Sequence, residues 1–163
     1  MDPNIILIHP TGVVDTFPPL YSLSISTDSK PNVVFYGGPH SPSTIIGTAV
    51  FHSLSGKIDL NLHGQSIIMK PEGMPLAYHF EFPPVGKLKW QAGAGLELRD
   101  AGEMKVVKLK SSGLLSEERV FEMMLPCEPR FVDLVVLSGW AIRADMDREQ
   151  PPKAGKCSVG GCL

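Results

Sequence analysis

Several frameworks that would announce an activity are missing from this sequence. Its three cysteines, Cys127, Cys157 and Cys162, are odd in number and form no CxxC pair, which excludes a complete disulfide scaffold and a cysteine-based zinc site. Reduced thiols are expected. There is no Gly-x-Ser-x-Gly elbow, no P-loop and no His-Glu-x-x-His, so no enzyme class has a positive motif behind it. Gly93-Ala94-Gly95 begins like a dinucleotide loop but lacks the third glycine and the helix, and reads as a turn. Charge of one sign is lacking as well: 15 Lys and Arg against 17 Asp and Glu give a net −2, no electrostatic footprint for nucleic acid. Near the N-terminus the only apolar run is Ile5-Ile6-Leu7-Ile8, too short and without the cationic flank of a secretory signal. A cytoplasmic location is expected.

What is present points to β structure. A length of 163 residues suits one domain able to bury a core without staples. The 16 glycines and 15 prolines are scattered between short apolar runs, the punctuation of many strands and turns. Alternation is clearest over residues 21–26, 58–62 and 76–82, where Leu76, Tyr78, Phe80 and Phe82 share one face. The runs at 33–36, 44–51 and 66–69 are β-branched or aromatic and short, so strand is favoured there too. From Lys87 onward the pattern predicts a three-stranded meander with turns at residues 93–95 and 100–103, and a bulge at the consecutive Val106-Val107. A further strand follows at residues 119–125.

Residues 131–142 differ in kind, being apolar almost all round with only Asp133, Ser138 and Gly139 interrupting. A run of that length without turn signals, following a proline and with an acid near its first turn, predicts a helix buried on every side. Val135-Val136 and Gly139 are poor helix formers, so a central strand pair is the structural alternative. Covering every face of such a helix requires a sheet that wraps it. The expected fold is therefore mainly β, a closed antiparallel β-barrel around a buried apolar C-terminal helix at about residues 130–146. Residues 1–147 form the single domain, and the Pro-, Gly- and Lys-rich stretch 148–163 is expected to be a flexible tail.

Lys89-Trp90, Leu96-Glu97-Leu98 and the terminal Phe131-Val132-Asp133-Leu134-Val135-Val136-Leu137-Ser138-Gly139-Trp140-Ala141 carry a resemblance. In their order the chain resembles the tubby C-terminal-like superfamily, which includes phospholipid scramblases and LURP-one-related proteins, and most of all small fungal tubby-like proteins. The likeness spans about residues 20–145 as patterned order. It implies a barrel threaded by the terminal helix. Neither the phosphoinositide-binding residues of tubby nor a scramblase calcium segment matches this sequence, so no functional residue is carried over.

The outward positions of the meander place Lys87, Lys89, Arg99, Lys105, Lys108 and Lys110 on one face, with Glu97 the only acid among those strand positions. Such a face suits anionic lipid headgroups; equally, it describes a solvated strand face with edge-protecting lysines. Cys157 and Cys162, with Lys153 and Lys156 nearby, suit reversible acylation, although Gly160 excludes a prenylation box. His79 and Glu81 share a strand face as an acid/base pair or the beginning of a metal site, but no third ligand is indicated, and a hydrogen-bonded surface pair explains them as well. No metal and no cofactor is expected. The expected function is a non-enzymatic binding module, associating with an anionic membrane surface or an apolar small ligand. The alternatives are a protein-interaction domain docking a partner through a sheet face or edge, and a small barrel enzyme.

Overall fold

A computed structural model describes residues 5–8, 21–39, 41–74, 76–83, 85–93, 95–111, 119–124 and 128–149, with the side chains of 5–8, 110–111, 119–120 and 147–149 outside that description. Eleven strands form a single antiparallel sheet: β1 (Ile5–Ile8), β2 (Ser22–Ile25), β3 (Val33–Tyr36), β4 (Ile45–Phe51), β5 (Ile58–Leu62), β6 (Gln65–Glu72), β7 (Ala77–Phe82), β8 (Gly86–Ala92), β9 (Leu96–Asp100), β10 (Lys105–Ser111) and β11 (Arg119–Met123). From β2 to β11 each strand pairs with the next, and β1 returns to pair with β11, Ile5 opposite Glu122. One helix follows, α1 (Pro129–Glu149).

Alternation decides which side of each strand is buried. In β5 Ile58, Leu60 and Leu62 are buried; in β7 Tyr78, Phe80 and Phe82; in β9 Leu96 and Leu98. The bulge expected at Val106 is present, since the β9 register steps from Lys105 opposite Arg99 to Val107 opposite Leu98. It buries both valines while returning Leu109 to the core side.

The helix is a helix and not a strand pair, and its residues 134–142 are all buried. An α-helix turns about 100° per residue at 3.6 residues per turn, so the contacts of three successive residues show how far the sheet reaches round. A Cβ on Gly47 of β4 would meet Leu137; Ser138 accepts a hydrogen bond from Trp90 of β8; a Cβ on Gly139 would meet Phe121 of β11 and Leu109 of β10. These three residues in succession thus follow the strand order of the sheet. Trp140 follows and is buried as well, and the edge strands of the sheet are β1 and β2.

Those edges correct one expectation. The barrel is not closed: β1 pairs with β11 and β2 with β3, and no ladder joins β1 to β2. Closure needs the two end strands to exchange hydrogen bonds, whereas burial of the helix needs only that apolar side chains reach it. Three smaller differences have local causes. β6 runs through Pro71 to Glu72, beyond Met69 where the apolar run stops, because β6 leaves β5 after Met69 and pairs only with β7 at residues 70–72. A proline is tolerated where a strand has one neighbour. No acid lies in the first helical turn; Asp133 comes later and serves as a side-chain acceptor. The run at residues 5–8, noted above only as too short for a signal, is a strand.

Gly47 offers a test of the close approach between sheet and helix. A Cβ there would lie 2.8 Å from the Asn61 carbonyl oxygen and 2.9 Å from Leu137 Cδ2, while one on Gly93 would meet nothing within 4 Å. Gly47→Ala is expected to lose about 1–3 kcal/mol in urea unfolding, and Gly93→Ala to stay within about 0.5 kcal/mol of the parent. Equal stability of the two variants would contradict the packing.

Candidate functional site

Three of the six cations expected on the meander face form ion pairs with acids. Lys89 Nζ donates to both oxygens of Glu103, at 2.9 and 3.1 Å. Arg99 Nη2 donates to Glu97 at 3.0 Å and its Nη1 to the Glu103 carbonyl at 2.9 Å, and Lys105 Nζ lies 3.2 Å from Glu97. The Lys105 hydrogen bond, helped by Arg99, holds the Glu97 carboxyl below its ordinary range, and Lys89 does the same for Glu103. Lys108 stands in register with Glu97 on one side and Glu122 on the other, and Lys87 with Glu81. Lys110 belongs to β10, but its side chain lies outside the described ones. The face therefore carries interleaved charge of both signs. Counting acids only within the meander strands overlooked Glu103 in a turn, Glu122 on β11 and Glu81 on β7; register supplies them.

His79 and Glu81 do share the outer face of β7, but His79 Nε2 is 3.2 Å from Glu72 of β6. Two other histidines are also paired with acids, His52 with Asp59 at 2.7 Å and His63 with Asp133 at 2.8 Å. Among the described residues no three of His, Cys, Asp and Glu converge in a way that could hold a metal ion. Asp133 has the more structural role, accepting from Tyr21 Oη at 2.6 Å as well as from the His63 ring. It ties the entry to β2 and the β5–β6 turn to the helix. At the other end of the helix, Tyr78 donates to buried Asp145 at 3.3 Å.

These two contacts orient the helix and define the ends of the sheet. Successive strands alternate in direction, so β2 begins, and the β5–β6 turn lies, at the end where the helix starts. The β4–β5 and β6–β7 turns lie at the other end, where Tyr78 meets Asp145 and the helix finishes. Two large apolar side chains stand fully in solvent there: Leu54 in the β4–β5 turn, at 105% of its reference exposure, and Met74 in the β6–β7 turn, at 95%. The β4–β5 turn packs against the end of β6, because a Cβ on Gly56 would lie 3.0 Å from Pro71 Cγ. Exposed Lys57 and Lys70 flank the two tips, and no ion pair is formed by either among the described residues. At the opposite end Ile45, Val85, Met104 and Met124 are each partly sheltered, at 39–63% exposure.

Sequence reading passed over Leu54 and Met74 because a lone apolar residue in a turn is ordinary. Their placement at the same end of the sheet is a product of topology. Cys157 and Cys162, the residues considered for acylation, lie outside the described residues; the chain toward them continues from Glu149, at the Leu54 and Met74 end. Among the described residues no helix is long and apolar enough to cross a membrane.

The Tyr21–Asp133 contact carries a pH signature. Burial foremost, then the hydrogen bond to Asp133 and its charge, push the Tyr21 phenol well above its ordinary value. A folded-state value above the unfolded one means stability that is complete below the unfolded value of about 10 and lost as pH rises through the folded one. Urea unfolding should show stability declining above about pH 10, and Tyr21→Phe, which has no proton to lose, should shallow that decline. Superimposable alkaline profiles would contradict the assignment.

Set against family models, curated proteins and solved structures, the chain matches none of them.

Proposed function

We propose that this protein is a non-enzymatic binding module that docks reversibly on an anionic membrane surface with the end of the sheet bearing the β4–β5 and β6–β7 turns. The observation that carries the reading is the placement of Leu54 and Met74, fully exposed in two turns at the same end of the sheet. A side chain in that position gains nothing from the fold, and a deformable apolar phase is the partner that two narrow tips can enter without a matching pocket. Lys57 and Lys70 behind them favour anionic headgroups.

Magnitudes set the character of the interaction. Burial of a leucine or methionine side chain is worth about 1.5–3 kcal/mol, and each lysine near an anionic surface about 1 kcal/mol. Against the loss of translational and rotational freedom, that sum gives weak, reversible binding. A second attachment is what makes such binding lasting. Acylation at Cys157 or Cys162 would supply it from the end where the helix finishes. The resemblance of residues 131–141 and the meander to tubby-like proteins supports the same reading, with the lipid contact moved from the meander face to the hairpin tips.

Co-sedimentation with phosphatidylcholine vesicles, with and without phosphatidylserine, tests it. The parent is expected to prefer the anionic vesicles, and Leu54→Asp with Met74→Asp to reduce binding about tenfold while the melting temperature stays put. Equal binding to both vesicle types, or loss through Lys105→Glu and Lys108→Glu with the tip variant unaffected, would overturn the proposal. Capture by a protein with no vesicle binding would favour a partner-docking domain instead.

A further inference from the structure

β6 changes partners halfway along its length, and the sheet opens where it does. Its first part, residues 65–69, pairs with β5; only Lys70, Pro71 and Glu72 pair with β7, opposite His79, Tyr78 and Ala77. β7 stays with β8 along its whole length, from Ala77 opposite Gln91 to Phe82 opposite Gly86. Residues 66–69 of β6 and Phe80, Glu81 and Phe82 of β7 therefore face one another with no ladder between them. A cleft of about 530 Å³ opens at this split, a volume in the range of small-molecule sites.

Its walls combine two chemistries. Buried Ile67, Phe80 and Leu88 contribute to the lining between the outward-facing residues. Ile68 stands beside them on the outer face, 48% exposed. Lys70 and Lys87 line the cleft from β6 and β8, and neither forms an ion pair among the described residues. Two carboxylates are present too. Glu72 is taken up by His79 at 3.2 Å, and Glu81 lies across from Lys87 in register. Offsetting Lys87 in this way leaves Lys70, whose register neighbour is His79, as the less compensated cation.

We infer that the cleft between β6 and β7 binds a small amphiphilic anion, its apolar body against Ile68, its carboxylate or sulfonate at Lys70. Facing strand segments without a ladder suit this class further, because main-chain N–H groups at such a split are open to an acceptor. The site shares Lys70 with the membrane-docking end but does not use Leu54 or Met74, and it needs no membrane.

The full chain, free of vesicles, is titrated with 1-anilinonaphthalene-8-sulfonate and the bound dye is then competed with decanoate. A single saturable site is expected, displaced by decanoate and weakened about tenfold by Lys70→Ala and by Ile68→Glu, both surface changes. The Leu54→Asp, Met74→Asp variant should bind as the parent does. Absence of saturable binding, indifference to the Lys70 and Ile68 changes, or loss through the tip variant would each overturn the inference. Because vesicle binding and dye binding are read separately, failure of one is distinguishable from failure of the other.

Discussion

A helix without a polar side dictates the form of this protein. Residues 134–142 are all buried, serine and glycine included, and no single flat sheet could cover them. The strands accordingly pass round it in order, so that Leu137, Ser138 and Gly139 meet β4, β8 and the β10–β11 pair in turn. Small residues sit where the approach is closest. Gly47 on the sheet side and Gly139 on the helix side are the two positions where a Cβ would come within 3.0 Å of its neighbours from the other element. Gly139 costs helix propensity, about 1 kcal/mol relative to alanine, and close packing against Phe121 is what it permits.

Most polar groups drawn into this interior are matched, Trp140 Nε1 being an exception with no partner among the described residues. Trp90 Nε1 donates to Ser138, which donates on to the Val135 carbonyl. Asn32 bonds the Ser26 carbonyl and the Phe51 amide, and buried Ser22 bonds the Gly38 carbonyl. Each pairing removes a desolvation cost of about 1–3 kcal/mol. Among the described residues none of these groups converges on an open cavity as a nucleophile and base would, and His52, His63 and His79 are held by acids at the surface. The features with unused capacity lie outside the core, at the hairpin tips and at the split between β6 and β7.

Much of the fold was legible in residue patterns, for reasons that also fix where legibility stopped. Alternation at 58–62 and 76–82, the doubled valine at 106–107 and the unbroken apolar run at 131–142 each have a period that only one local structure satisfies. Closure of the sheet was not legible, because alternation reports which face a residue takes and is silent on which strand the last one meets. The charge of the meander face was misjudged for the same reason: Glu103, Glu122 and Glu81 reach it through register and turns. Leu54, Met74 and the β6–β7 split are products of strand order. No local pattern marks them, since Pro71 reads as a strand end until β6 is seen to have a neighbour on one side only there.

Enclosure of the helix is the claim from which the rest follows, including which end of the sheet the chain leaves and which faces stay free for ligands. Amide hydrogen exchange reads it directly. If the sheet surrounds the helix, amides of residues 134–142 should exchange only through global unfolding, in the slowest class with those of β8 and β9. Exchange of those helix amides through local opening, well ahead of the β8 and β9 amides, would show a helix resting on the sheet and free to leave it, and would contradict the account.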